Sequence, residues 1–229
     1  VAKEEKQHTV YRNSKGIVVP SCTTVLQVLN TPSLIYWANK IGKQGKLYSS
    51  EMASASRIGT LTHLRIEYYF KESQEVYQEY MKLFYEATDY EKAQALKAYA
   101  NFLRWSDDNN FELQGSELRL VSDQFNYGGT IDYYGMINNT LMIMDFKTSN
   151  YFNKKMFLQL AGYRQLLIEH GYDVDAVMIL KLSKMEDKFE IMRKEADELG
   201  DYFRLFKFCI ATHKVNERID KEWEWKKSK

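Results

Sequence analysis

The sequence predicts an α/β or α+β domain in which a mixed central β-sheet is flanked by helices and preceded by an N-terminal helical region. Three observations predict it. Apolar residues recur at helical spacing through most of residues 34–110. The pattern then changes to a run rich in β-branched, aromatic and Met residues, punctuated by Gly128-Gly129 and Asn138-Asn139. After it come a helical stretch, two short apolar stretches and a long helical one, the alternation expected when helices cover a sheet.

In chain order, "GIVVPSC" reads as a short strand and a Pro-Ser turn. Leu34, Ile35, Ala38 and Ile41 then fall near helical spacing. From Ser50 to about Asn110 the pattern stays helical, with breaks expected near Ser73 and Thr88. Thr88 and Glu91 fit the S/T-x-x-E capping box, so a helix should start there. Strands follow in "ELRLVSDQFNYGGTIDYYGMINNTLMIMDFKT". A helix over about 154–170 should end at Gly171, the residue that best tolerates a left-handed C-cap. "DAVMILKLS" and "KFEIMRK" read as two more strands, and a closing helix starts near Glu195. We read one domain over 1–229: helical region about 34–110, sheet core about 111–193, C-terminal helix and tail about 195–229.

Composition limits the function classes. The 229 residues are 45% hydrophobic and 28% charged, which fits a globular core and excludes a disordered chain. No apolar run reaches the roughly 18 residues of a membrane span, and the opening "VAKEEKQHTVY" has no apolar signal-peptide core. A net charge of +1 gives no global basic field, so a nucleic-acid partner would need local patches. Two cysteines, Cys22 and Cys209, are too few for a disulfide framework or a four-cysteine cluster, and a reducing cytoplasm is expected.

The chemistry concentrates in "TIDYYGMINNTLMIMDFKTS", residues 130–149. With Asn138-Asn139 at the centre of a tight hairpin turn, residue 137 faces 140 and Asp132 faces Asp145. Facing carboxylates lie about 5 Å apart at Cβ and repel unless a cation sits between them. Lys147, two residues past Asp145, shares its face. An Asp-x-Lys on a strand is by itself an ordinary surface ion pair; its neighbours point elsewhere. "SRIGTLTHLRIEYYF" places Gly59, His63 and Glu67 along one helical face, and "QLAGYRQ" places Gln159 and Tyr163 four residues apart. Oxygen-rich donors of this kind suit Mg²⁺ or Mn²⁺.

These four blocks, in order, resemble the RecB-like exonuclease branch of the PD-(D/E)XK nuclease superfamily. The matching residues are Gly59-His63-Glu67, Gly129-Thr130-Ile131-Asp132, Asp145-Phe146-Lys147-Thr148 and Gln159-Tyr163. "VPSCTTVL" followed by "YWANKIG" is similar, more loosely, to the opening of phage-borne members and of mitochondrial genome-maintenance exonucleases. The resemblance implies a restriction-endonuclease-like core and a Mg²⁺- or Mn²⁺-dependent DNA exonuclease using one or two ions. His63, Asp132, Asp145 and the Phe146 carbonyl would be metal ligands, with Glu117 a further acidic candidate, and Glu67 would orient the His63 ring rather than bind the ion. Lys147 would activate water, and Gln159 and Tyr163 would serve catalysis by positioning DNA. Lysines cluster locally at 40, 43 and 46, at 154–155 and at 226, 227 and 229; Lys154 and Lys155, with Thr148, are the better candidates to contact DNA, and the C-terminal lysines read rather as a solvated face. The iron–sulfur cluster of some branches is not expected here.

DNA ends are the expected substrate, with a lean to single strands. An endonuclease on the same core and a catalytically silent DNA-binding subunit are the alternatives. No membrane partner is expected, and the oligomeric state is open. A bacterial or phage-infected cytoplasm is the expected setting, with the mitochondrial matrix left open.

Overall fold

The computed structural model describes the backbone of residues 9–227 and the side chains of residues 9–223. Two short strands, β1 (Tyr11–Arg12) and β2 (Val18–Val19), form a small antiparallel hairpin. Helix α1 (Cys22–Val25) runs into a 3-10 turn, and α2 (Pro32–Lys43) follows. Then come α3 (Tyr48–Lys71), α4 (Gln74–Glu86) and α5 (Asp89–Asp107). The breaks fall at Ser73 and Thr88, whose hydroxyls accept from the backbone N–H groups of Val76 and Glu91. The Thr88–Glu91 capping box closes in both directions.

The sheet has five strands in the order β3 (Phe111–Ser122), β4 (Tyr127–Ile137), β5 (Thr140–Lys147), β6 (Ala176–Leu182) and β7 (Phe189–Glu195). The β5–β6 pair is parallel and the other three are antiparallel, so the sheet is mixed. A parallel neighbour requires a crossover, and α6 (Lys154–Glu169) supplies it. Gly171 ends that helix region at φ +84°, where a Cβ would be strained. The last helix, α7, spans Gly200–Lys227 after a 3-10 turn, a few residues later than the sequence pattern implies.

The sheet is covered on both sides. Ile131, Ile143, Val177 and Ile179 pack with Leu160 and Leu166 of α6 and Phe206 of α7. The other face packs Tyr133, Met144, Phe146 and Leu180 against Ile66 of α3 and Phe102 of α5. The aromatic stretches at 67–70 and 84–90 divide accordingly. Phe70 joins the core with Phe102 and Phe111, whereas Tyr85 and Tyr90 are exposed.

The residues at helical spacing near the N-terminus do form a helix, α2, but most of them are not buried. Of Leu34, Ile35, Ala38 and Ile41, only Ile41 is buried, and Leu34 and Ile35 are exposed. Helical spacing alone could not show that α2 touches the body along so narrow a line.

Candidate active site

Asn138 and Asn139 both adopt positive φ, as a two-residue turn of this type demands. The pairing then runs from Ile137 with Thr140 to Tyr133 with Met144. The expected register holds to that point, and the backbone ladder ends there. Instead of a continuing rung, the Phe146 N–H donates to Asp132 Oδ2 at 2.9 Å. The same residue marks an irregularity on β4's other side. Opposite it on β3, Glu117 sits at φ +49°, between the pairs Ser116–Tyr133 and Leu118–Ile131. A non-glycine side chain in the left-handed region is costly by about 1–3 kcal/mol and needs surrounding structure to hold it. Glu117 therefore does not open its strand; it lies within β3, turned by a local break.

The break brings three donors together. His63, Glu117 and Asp132 each offer an atom within 4.8 Å of the others, an arrangement that could hold a metal ion. His63 arrives from α3, with Nδ1 3.5 Å from Asp132 Oδ2 and Nε2 3.0 Å from the Phe146 carbonyl oxygen. With its proton on Nε2, the ring donates to that carbonyl and turns the Nδ1 lone pair toward the carboxylates. Burial, reinforced by the charges of Asp132 and Glu67, pushes the Glu117 carboxyl up to about 9. A buried carboxyl beside two other carboxylates is disfavoured in its charged form, and a cation bound there would reverse that.

Asp145 faces a different partner. It is 1% exposed, and Lys147 Nζ stands 2.5 Å from its Oδ2. That contact is an ion pair off hydrogen-bond alignment, since neither Asp145 oxygen has an aligned donor among the described residues. Burial raises the Asp145 carboxyl to about 6 despite Lys147, and Asp132 adds to the rise. Burial alone would depress the Lys147 ammonium, but Asp145 and Asp132 outweigh it, so its pKa ends above the usual lysine value. Lys147 also donates to Gln159 Oε1 at 3.3 Å, and Gln159 Nε2 donates to the Tyr163 hydroxyl at 2.6 Å. Both residues are buried. Their polar ends are directed at Lys147 and at each other, so they position the lysine.

Other sequence candidates have different surroundings. Glu67 pairs with Lys71 at 2.7 Å and has no hydrogen bond to His63. Lys155 Nζ is bound to the Leu29 carbonyl at 2.6 Å and to Thr31 Oγ1, which ties the start of α2 to α6. Lys154 is exposed at the first position of α6, and Thr148 is half-buried where β5 ends. Gly59 lies over Thr148, but a Cβ there would meet Thr148 Oγ1 at an ordinary 3.5 Å. At Gly129 a Cβ would come within 2.6 Å of Tyr163 Cε1, so this glycine is what lets α6 lie on β4. Lys226, Lys227 and Lys229 lie outside the described side chains.

One residue near the site was not marked in the sequence. Lys181 on β6 pairs in register with Lys147, donates to the Asn150 carbonyl at 3.0 Å, and lies 4.7 Å from the Phe152 ring. It holds the segment that leaves the end of β5. A lysine in the apolar run "AVMILKLS" was the available signal.

No family model matches the chain, and no curated protein does. Among solved structures, it is similar to a candidate exonuclease from Eubacterium rectale at 14% identity and a TM-score of 0.49, over 72% of this chain and 68% of that one. It is also similar to an alkaline exonuclease from Laribacter hongkongensis. That likeness has 10% identity and a TM-score of 0.39, over 57% of this chain and 68% of that one. The same exonuclease in complex with dAMP gives 11% and 0.43, over 76% and 91%. Likeness at this level carries no argument about function. Among the described residues, no helix is long and apolar enough to cross a membrane.

Proposed function

We propose that the chain is a divalent-metal-dependent deoxyribonuclease with a PD-(D/E)XK, restriction-endonuclease-like core of the RecB-like branch, acting on DNA ends and favouring single strands. The observation that carries this reading is the break in both ladders at Asp132. There His63 from α3 and Glu117 from β3 meet that carboxylate, next to the ion pair of buried Asp145 with half-buried Lys147.

The donor set fits one or two Mg²⁺ or Mn²⁺ ions. Carboxylate oxygens and a backbone carbonyl are hard oxygen ligands, the single imidazole is a borderline donor that Mn²⁺ accepts more readily than Mg²⁺, and two of the carboxylates have raised pKa values. His63, Asp132, Glu117, Asp145 and the Phe146 carbonyl would hold the ion. When bound, it would polarise the scissile phosphate and lower the pKa of water. The chain's own residues do the rest. Asp145 keeps Lys147 charged, and Gln159, braced by Tyr163, fixes where the ammonium stands. From there Lys147 can hold the attacking water and offset charge developing on the phosphate. Thr148 and the exposed Lys154, at the two ends of the segment after β5, would meet the DNA backbone.

One gel tests the reading. It compares end-labelled linear single strands, linear duplex and closed circular single strands with Mg²⁺, Mn²⁺ or EDTA, beside Lys147→Ala. The expected result is metal-dependent loss of the linear single strands, with circles spared and the variant inactive. Cut circles would make it an endonuclease. Intact DNA throughout, or full activity in Lys147→Ala, would overturn the proposal.

A further inference from the structure

Helix α3 has two working sides. Side chains two residues apart on a helix point about 200° apart around its axis, so His63 faces the candidate active site and Arg65 faces away from it. On that far side Arg65, Tyr68, Tyr69 and Glu72 line a cleft of about 520 Å³. Tyr99 of α5 and Phe111 and Leu113 at the start of β3 close it. Its volume is that of a small-molecule site, about 300–1,000 Å³. Leu113 and Glu117 lie four residues apart along β3, up to about 13 Å at the rise of a strand, so the cleft and the metal cluster are different places.

The cleft is built around a guanidinium without a counter-charge. The half-buried Arg65 stands 5.3, 5.6 and 5.1 Å from the ring centres of Tyr68, Tyr80 and Tyr99. Among the described residues it has no ion pair and no hydrogen bond, and Glu72, the one carboxylate of the lining, does not pair with it. Ring contacts attract the cation but do not use its five in-plane N–H donors. The hydroxyls of Tyr68, Tyr69 and Tyr99 also have no hydrogen-bond partner among the described residues. Tyr69 is the most exposed ring of the lining, at 39%. A cation with spare donors, walled by aromatic rings, suits an oxyanion attached to a flat ring. We propose that this cleft is a second binding site that takes a nucleotide, with the phosphate on Arg65 and the base against Tyr69. A nucleotide is preferred to other aromatic anions because the same chain is read as a nuclease, so the inference rests on that reading. The nucleotide can be free in solution or one unit of a single strand, since both present the same phosphate and base.

The test is photo-cross-linking of the full chain in EDTA, where no cleavage is needed. One arm uses free iodo-dUMP, and the other a short single strand carrying one iodouracil. Peptide mass spectrometry then locates the adduct. The expected adduct is on Tyr69 in at least one arm, and the arm that gives it identifies the source. Inorganic phosphate should suppress it more than sodium chloride at equal ionic strength. Arg65→Gln, shown to be folded by circular dichroism, should raise the half-saturating ligand concentration at least ~10-fold, the scale on which hydrogen bonds to a charged group contribute. Adducts confined to residues outside the cleft, or none in either arm, would overturn the proposal. So would a Tyr69 adduct indifferent to phosphate in the wild type, or to Arg65→Gln in folded protein. A phosphate-sensitive Tyr69 adduct in a chain that cleaves no DNA would sink the nuclease reading alone, and cleavage without the adduct would sink the cleft alone.

Discussion

The two ends of the β4–β5 hairpin are built from the same strands and obey opposite rules. At the turn end, from Tyr133–Met144 to Ile137–Thr140, every rung is paired, and Tyr133, Ile137, Met142 and Met144 are buried apolar side chains. At the open end the rung is replaced by a side-chain acceptor, the residue opposite on β3 is left-handed, and Asp132, Asp145 and Lys147 stand where packing would favour aliphatics. The turn end supplies stability and the open end gives some of it up. Local departures from regular pairing, combined with buried charge, therefore mark the chemistry more sharply than any one residue type does.

The largest expected break in this contrast comes from Lys147→Ala. Removing the ammonium should lower the cleavage rate by at least ~100-fold, the scale on which a single charge-stabilising group contributes. It also leaves Asp145 buried beside no cation. The variant should therefore melt below wild type in EDTA, and divalent metal should recover part of the loss. A Lys147→Ala protein with native turnover in a single-turnover assay would separate the open end from catalysis.

The mirror-image change is Ile143→Ala, two residues before Asp145 and fully buried. It removes packing without touching a polar group, and the cost expected for such a cavity is about 2–5 kcal/mol. Denaturant melts should show that loss while turnover, corrected for folded fraction, stays within a few-fold of wild type. A collapse of turnover in the folded fraction would show that packing and chemistry are not separable along β5.

How far the sequence revealed this contrast depends on the kind of interaction. The turn end was legible: Asn-Asn fixes the turn, and the turn fixes the register. Asp132, Asp145 and Lys147 could be picked out because charged residues in apolar strands are conspicuous, whereas His63, Gln159 and Tyr163 stood out only through the resemblance carried by the four ordered blocks. The partnerships were not legible. Glu67 pairs with Lys71, Lys155 binds the start of α2, and Glu117 joins the cluster from β3 at a left-handed backbone position opposite Asp132. Those outcomes depend on contacts between segments far apart in sequence, which no spacing rule contains.

A smaller effect concerns pH. Glu117 is raised to about 9 in the folded protein, well above the ordinary carboxylate value near 4.3. Between those values the folded state keeps a proton that the unfolded chain releases, so this group's contribution favours folding at low pH and is lost as pH rises through about 9. In EDTA the Tm should fall from pH 6 to pH 9 more steeply for wild type than for Glu117→Gln. Saturating Mg²⁺, which binds the deprotonated site, should oppose that fall. Parallel slopes for the two proteins in EDTA would place Glu117 outside the charged cluster.

The finest discrimination lies between two glycines of the matching motif. Gly129→Ala drives a Cβ to 2.6 Å from the Tyr163 ring. The ring must shift, and through Gln159 that shift reaches Lys147. At Gly59 the new methyl meets Thr148 at ordinary contact distance inside a helix, where alanine is favoured by about 0.5–1 kcal/mol. Gly59→Ala should therefore match or slightly exceed wild-type stability and keep near-native turnover, whereas Gly129→Ala should lose both. If Gly59→Ala were stable but inactive, the open space at that position would belong to the substrate, because nothing in the protein fills it. The open end of the hairpin would then extend to the α3 surface above Thr148. Normal activity would leave the glycine without a steric role and confine the site to the three strands and the faces of α3 and α6 that carry His63, Gln159 and Tyr163.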